Sequence, residues 1–317
     1  MNNILFTHTD LDGVGCAVLA KKAFGDDVVV VYCNHNDVNE KVKAFLDGGC
    51  YGFSNCYITD ISVNSEIADM IDECEDCSFT LLDHHMTASW LNTRCWATVN
   101  FDEEKAKDEF VFLPSFEVRG RSGTEMFYYY LSAFMASVRQ YEEFANLVAD
   151  YDVWAWKTSA RGETSKKMND FYYLVGAEQF IDWANSWVEN GCKDSFGETA
   201  EMILQIENSR KSSYMEKKME TMRTVSVQGL NCAVVFAEMY ISELGDMIGA
   251  ANPDVDFVAM INMSNGTVSY RTCHDDVDVA AIAARVGGGG HKKAAGSKCP
   301  EKLISQFLDS WECEYDC

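Results

Sequence analysis

The chain has 317 residues, of which 47% are hydrophobic, and this is enough to build the packed cores of two ordinary domains. Its 50 acidic and 26 basic residues give a formal net charge of −24, which opposes binding to the phosphate backbone of long nucleic acids. The absence of a membrane-spanning apolar run and of a secretory leader pattern, together with 13 cysteines, predicts a cytoplasmic protein with reduced thiols and no membrane partner.

Residues 1–90 alternate apolar runs typical of strands with runs typical of helices. The strand-like runs are NILFTH, VVVVYC, CYITDI and SFTLLDHH, and helical runs such as GCAVLAKKAF and NSEIADMIDE separate them. This alternation predicts an α/β domain with a parallel sheet and crossover helices. In such sheets, ligands bind beyond the carboxyl ends of the strands.

Acidic and histidine side chains collect at these predicted strand ends. They are His8, Asp10 and Asp12 in HTDLDG, Asp60 in ITDIS, and Asp83, His84 and His85 in LLDHH. Carboxylates gathered at one edge repel one another unless cations hold them, and carboxylate mixed with imidazole suits Mn²⁺ better than Ca²⁺ or structural zinc. Adjacent histidines on an extended chain point to opposite sides, so their roles should differ. Taken singly, each residue has an alternative as a helix cap, a solvated turn or a structural histidine.

Residues 110–190 read as mostly helical and aromatic-rich. RSGTE places Ser122 and Glu125 at capping-box spacing, and the aromatic run 127–130 is interpreted as core. ADYDVW places Asp150 and Asp152 after an apolar helical run. A further helix, over about 198–222, has no proline or glycine and is predicted to link two domains.

From residue 225 the pattern returns to short strands, followed by GGGGHKKAAG. Four consecutive glycines let backbone N–H groups approach an anion or a base closely, and His291 follows at once. The nearby cations form a basic island in an acidic chain: Arg271, Arg285, Lys292 and Lys293. The alternative for the glycines is a flexible loop. His35, in YCNHND, is open between a site role and a structural or surface role.

HTDLDG, ITDIS, LLDHH and ADYDVW resemble the four motifs of the DHH phosphoesterase superfamily, and GGGGHKKAAG resembles the signature of its DHHA1 substrate-binding domain. The resemblance runs over nearly the whole chain and is greatest to the nanoRNase B type of oligoribonuclease. It implies a parallel-sheet DHH catalytic domain over 1–195, a linker helix over 196–224 and a smaller α/β DHHA1 domain over 225–317.

The resemblance also implies a two-metal site. The implied metal ligands are His8 and Asp10 for one ion, Asp12 and His84 for the other, Asp60 as the bridge, and Asp150 from the fourth motif, with Asp152 as its alternative. Asp83 would orient an imidazole, and His85 would face the substrate phosphate or the leaving oxygen. The implied substrate-binding residues are Arg271, Gly288, Gly289, Gly290 and His291.

The function implied is that of a phosphodiesterase, an exonuclease that hydrolyses short oligonucleotides (nanoRNA) or dinucleotides with two Mn²⁺ ions in a cleft between the domains. Mg²⁺ and Co²⁺ are alternative metals. The alternative functions are a cyclic dinucleotide phosphodiesterase, a pAp-type phosphatase and a nonenzymatic nucleotide sensor with a decayed site. No long-duplex partner is expected, and a homodimer is left open.

Overall fold

A computed structural model describes residues 2–99, 121–193, 195–227 and 229–299. The chain divides into two compact units between Leu204 and Gln205. None of the described helices combines the length and apolar character that a bilayer crossing requires. The three predicted domain ranges stay predictions. Residues 110–120 of the predicted helical region and 300–317 of the predicted last domain lie outside the described residues.

The first unit contains a five-stranded sheet in which every strand pair is parallel, as predicted. Its strands are β1 Asn3–His8, β2 Val28–Cys33, β3 Asn55–Thr59, β4 Ser78–Asp83 and β5 Ala97–Val99, in the spatial order β2-β1-β3-β4-β5. The central strands are continuous apolar runs because helices cover both faces of the sheet.

Two helical layers cover this sheet. On one face, α2 Val38–Asp47 and α3 Ser65–Asp72 bury Val42, Phe45 and Ile67. On the other face, α1 Leu11–Phe24 packs with four later helices: α4 Gly123–Phe134, α5 Glu142–Asp152, α6 Gly162–Val175 and α7 Ala177–Glu189. Phe127 and Tyr128 are buried in this second layer, which confirms a core role for the start of the aromatic run.

The predicted long helix is present as α8 Glu198–Thr221. After it, the second unit contains a six-stranded mixed sheet. Its strands are β6 Arg223–Val227, β7 Leu230–Phe236, β8 Phe257–Asn262, β9 Thr267–Arg271, β10 Gly289–His291 and β11 Ala294–Lys298, in the order β10-β11-β9-β8-β7-β6. Only β7 and β8 pair in parallel among these described strands. Helix α9 Ile241–Ala251 packs on one face, and α10 Val279–Ala284 packs on the other.

Candidate metal centre and substrate site

Three neighbouring strands of the first sheet end at one edge in side chains that can bind metal. In spatial order, β1 ends at His8, β3 ends one residue before Asp60, and β4 ends at Asp83. The strands are parallel, so their carboxyl ends meet at the same edge. The turn from β1 into α1 brings Asp10 and Asp12 to this edge as well.

The described residues contain two groups of three potential ligands at this edge. The groups are His8, Asp10 and Asp60, and Asp12, His84 and Asp152, and within each group the ligand atoms lie within 4.8 Å of one another. Asp60 contacts both groups, since its Oδ2 is 3.8 Å from His8 Nδ1 and its Oδ1 is 3.2 Å from His84 Nε2. A third, overlapping group consists of Asp60, Asp83, His84 and His85. The two main groups therefore meet at one carboxylate.

Asp60 is held in an environment that penalises a carboxylate. Its φ of 57° is uncommon for a residue other than glycine, and its backbone N–H donates to the carbonyl of Leu82 at 3.0 Å. The side chain is 1% exposed, and its Oδ2 accepts no hydrogen bond. Burial, with the charges of Asp12 and Asp10, raises the pKa of Asp60 well above its usual range. A bound cation would compensate both the orphaned oxygen and the repulsion.

Asp10 and Asp152 differ in pKa because their neighbours differ. Burial opposes ionisation of Asp10, but hydrogen bonds from His8 and Gly13 lower its pKa to about 2. Burial and the charges of Asp12 and Asp10 raise the pKa of Asp152 to about 8. Burial lowers the pKa of His84, which favours the neutral imidazole that binds metals. Burial and mutual repulsion therefore oppose ionisation of Asp60 and Asp152, and an added cation would relieve this repulsion.

The N-terminus of α4 fixes the carboxylate of Asp12. The backbone N–H groups of Gly123 and Thr124 donate to Asp12 Oδ2 and Oδ1 at 2.6 and 2.9 Å. A Cβ at position 123 would lie 2.5 Å from Cβ of Asp60, so only glycine permits this approach. The positive end of a helix thus orients one predicted ligand and packs against another.

The two adjacent histidines have different partners. His84 points into the metal-ligand cluster, with its side chain 15% exposed. The side chain of His85 is 43% exposed, and its Nδ1 lies 2.7 Å from Oδ1 of Asp83. This hydrogen bond raises the pKa of His85, while Ser62 donates to the other oxygen of Asp83. Asp83 therefore positions the ring of His85 rather than that of His84.

The structure does not bring Asp150 into the cluster. Its two carboxylate oxygens accept from Arg121 Nη1 at 2.6 Å and Ser159 Oγ at 2.8 Å. Asp152, the alternative, lies 3.4 Å from His84 Nε2 instead. The reason is helical geometry: residues two apart on α5 lie about 200° apart around its axis, so only one of them can face the cluster. The preference for Asp150 is corrected in favour of Asp152.

His35 was left open by the sequence, and the structure places it beside the site. It follows β2, its ring centroid is 5.1 Å from that of His8, and it is 6.1 Å from that of His85. The signal available in the sequence was its position two residues beyond a strand end. That position was weaker evidence than the other motifs, because YCNHND is not among the four motifs that carry the resemblance.

In the second unit, the glycine run enters the edge strand β10. A Cβ at Gly288 or Gly290 would lie 2.2 and 2.6 Å from the backbone of β11, so both glycines are needed for close strand packing. A Cβ at Gly289 would meet nothing within 4 Å, and the side chain of His291 is exposed. Gly288 and Gly290 therefore serve the packing of β10 on β11, and Gly289 is the glycine of these three that is open to a ligand.

Arg271 and His291 share one face of the second sheet. Both pair in antiparallel register with Ala294 of β11, which places their side chains on the same side about 10 Å apart. Arg271 packs against Gly245 of α9 and donates to Ser242 Oγ at 3.0 Å.

The predicted basic island does not stay together. Lys293 Nζ pairs with Asp275 Oδ1 at 2.7 Å. Arg285 lines an apolar groove with Tyr270, on the opposite face of the sheet from Arg271. Arg271 and His291 are therefore the pair that the fold places together.

Comparisons with known proteins find one related sequence and several similar folds. The chain is 33% identical to oligoribonuclease NrnB of Bacillus subtilis (strain 168) over 310 residues, which is 96% of this chain and 74% of that protein. Its fold is similar to those of the pGpG-specific phosphodiesterase PggH of Vibrio cholerae (TM-score 0.52, 12% identity, 99% and 98% of the two chains) and exonuclease RecJ bound to manganese (TM-score 0.56, 14% identity, 97% and 88%). No family model matches the chain.

The chain belongs to the DHH/DHHA1 phosphoesterase superfamily. Its likeness to NrnB places it in the nanoRNase B type, which confirms the family predicted from the motifs. The comparison with PggH and RecJ supports the DHH fold alone.

The residues of this DHH site fit divalent metal ions. The donors are carboxylate oxygens and imidazole nitrogens, a set that suits Mn²⁺ and related ions, and no cysteine belongs to any of the groups found among the described residues. The buried Oδ2 of Asp60 accepts no hydrogen bond, and a bound cation would satisfy it. The residues can therefore hold metal at this edge.

Proposed function

We propose that this DHH protein is a phosphodiesterase that hydrolyses short oligonucleotides with two divalent ions, Mn²⁺ being the preferred metal. The main observation behind this proposal is that the two ligand groups meet at the buried carboxylate of Asp60. Paired metal sites that share a carboxylate suit in-line attack on phosphorus, since one ion serves each side of the reacting phosphate.

In this proposal, each group would hold one ion. The first ion would be held by His8, Asp10 and Asp60, and the second by Asp12, His84 and Asp152, with Asp60 shared. When bound, the ions supply the positive charge that stabilises the phosphate and lowers the pKa of attacking water. The protein's part is to keep the ligands in place. Gly123 and Thr124 do so for Asp12 through their backbone N–H groups.

His85 is proposed to donate a proton to the leaving oxygen. Its Nδ1 is committed to Asp83, so the ring orientation is fixed and Nε2 is the nitrogen that can reach a substrate. Its half-exposed side chain is accessible, unlike that of His84. Asp83, which is itself held by Ser62, is a positioning residue.

The second unit is proposed to bind the rest of the oligonucleotide. Arg271 and His291 share a face and offer donors suited to a phosphate, and Gly289 leaves its backbone open. A short ligand needs few such contacts, whereas a long strand would meet the repulsion of a chain with net charge −24. The proposed place of action is the cytoplasm, where the protein would act as a monomer or a homodimer.

A substrate panel tests this function. Purified protein with Mn²⁺ would be offered pApA, a five-nucleotide RNA, a long single strand, cyclic di-GMP and pAp, with the products resolved by chromatography. We expect hydrolysis of pApA and the five-nucleotide RNA to mononucleotides, and much slower reaction of the long strand. Preference for cyclic di-GMP or pAp would replace the proposal with one of the two alternative activities. Nucleotide binding without turnover of any of these would favour a sensor.

A further inference from the structure

A pocket of about 190 Å³ opens at the metal-ligand cluster, and residues of the first unit form all of it. Its polar lining includes three aspartates of the cluster, Asp10, Asp12 and Asp152, and its aromatic lining consists of Tyr151, Trp154 and Tyr173. A phosphate held at these aspartates through metal ions would therefore have aromatic rings within the same pocket. None of the roles derived above accounts for these rings.

Trp154 is a large aromatic residue whose exposure to solvent is not needed for the packing of the first unit. The residue is 64% exposed, and its φ of 61° is disfavoured for a bulky residue. The backbone turns here because α5 ends, with Trp154 N–H donating to the carbonyl of Tyr151 at 3.1 Å. Trp154 follows Asp152 by two residues, and in this conformation its indole stays exposed. Large exposed rings beside a polar site are typical of ligand contacts rather than of a core.

Tyr173 supplies the second ring, from α6. This residue is also 64% exposed, and its ring centroid is 4.9 Å from that of Tyr172. The hydroxyl of Tyr172 donates to the backbone carbonyl of Thr9, next to Asp10. This bond ties the turn that carries Tyr173 to the end of β1, so the exposed ring has a fixed place beside the cluster.

Lys157 places a cation on the same aromatic surface. Its Nζ is 4.7 Å from the ring centroid of Trp154 and 5.7 Å from that of Trp156. Within the described ranges, no carboxylate lies in ion-pair distance of Lys157. The ammonium group of Lys157 lies against aromatic rings and is therefore available to an anionic ligand. Such a cation is notable in a chain of net charge −24.

We propose that Trp154 and Tyr173 form a stacking subsite for the nucleobase adjacent to the scissile phosphate, with Lys157 beside the neighbouring phosphate. This inference deepens the proposed function and rests on it. Stacking uses the π-face that every base presents, so the subsite selects for the presence of a base rather than for its identity. A flexible diester without bases would lose this anchor and bind less well.

Trp154→Leu tests the subsite, because leucine keeps an apolar side chain but removes the ring. Trp154→Phe should retain stacking, and Phe134→Leu is the matched control, since Phe134 is 75% exposed at the far end of α4. Kinetics would be measured on pApA and on the same dinucleotide backbone with both bases removed. We expect Trp154→Leu to raise KM for pApA about 5- to 100-fold. It should raise KM for the abasic substrate much less, and Trp154→Phe and Phe134→Leu should stay near wild type.

Equal losses on both substrates, or no loss on pApA, would overturn the subsite. Calorimetry of AMP binding in Mn²⁺ buffer separates this outcome from failure of the proposed function. If wild-type protein cleaves no dinucleotide, yet binds AMP and loses that binding in Trp154→Leu, the function fails and the subsite stands. If AMP binds wild type and Trp154→Leu equally, or neither, the subsite is wrong.

Discussion

At the scale of single residues, the account depends most on Asp60. Its side chain is buried, one oxygen accepts no hydrogen bond, and its carboxylate lies against histidines of both ligand groups. A neutral amide of the same shape would keep the packing while removing the negative charge that both ions share. Asp60 is thus the residue at which charge and structure can be separated.

Asp60→Asn should reduce metal occupancy and hydrolysis together. We expect turnover of pApA to fall by about a hundredfold or more, because the missing charge weakens both sites. Mn²⁺ content by native mass spectrometry and thermal unfolding of the metal-free protein would be measured in parallel. Near-native turnover with two ions bound would remove Asp60 from its proposed role.

The fourth motif shows what local pattern cannot decide. ADYDVW offers two aspartates two residues apart, and the sequence indicates that one of them reaches the site. Which one depends on how α5 is rotated, and that rotation is set by burial of residues such as Leu147 and Val148 against other helices. Arg121, which captures Asp150, is 29 residues away and has no signal in the motif.

Asp152→Asn and Asp150→Asn form a matched pair. We expect Asp152→Asn to lower Mn²⁺ affinity about tenfold or more, as loss of a ligand does. Asp150→Asn should mainly lower the unfolding temperature, since it weakens the contact with Arg121. Calorimetric Mn²⁺ titration of both variants decides the matter. Loss of metal in Asp150→Asn alone would restore the original choice.

At the scale of elements, the strand ends were predictable, and the contact between α4 and Asp12 was not. The β1, β3 and β4 ends carry their ligands in unbroken local motifs, and parallel pairing brings these ends to one edge. The capping role of Ser122 was also local, and its Oγ accepts from Glu125 N–H at 3.3 Å. The contact of α4 with Asp12 joins residues that are 111 positions apart in the sequence, and hydrophobic periodicity does not predict contacts over such a separation.

Gly123→Ala tests this element. The added Cβ would lie 2.5 Å from Cβ of Asp60, so α4 or Asp60 must move. A displacement of about 1 Å at a catalytic group lowers rates about a hundredfold, and we expect kcat to fall on that order. Ser132→Ala, at the other end of α4, is the control for general destabilisation. Unchanged kcat in Gly123→Ala would show that the approach of α4 has no role in catalysis.

At the scale of the whole molecule, the two units have different proposed roles, metal binding in the first and substrate binding in the second. The proposed metal ligands are in the first unit, and the Arg271–His291 pair is in the second. Composition predicted two cores, and the glycine-histidine motif predicts a substrate-binding site in the second unit, which stays a prediction. The scatter of the basic island was not predictable, because the face each cation occupies depends on strand register and helix packing.

His291→Ala should lower kcat/KM for pApA about ten- to a hundredfold by removing a charge-assisted hydrogen bond. Bound metal should be unchanged, and bis(p-nitrophenyl) phosphate should be affected less, because it has no distal group to anchor. His274→Ala, in the same unit but outside the proposed site, is the control. Equal loss on both substrates, or loss of metal, would place His291 in the chemistry.

The most direct test of the central claim is a titration of metal-free protein with Mn²⁺, in which bound ions per chain and hydrolysis of pApA are measured at each point. The account predicts two ions per chain and activity that appears only as the second ion binds, because each ligand group alone serves one side of the reacting phosphate. Full activity with a single bound ion, or hydrolysis that persists without metal, would contradict it.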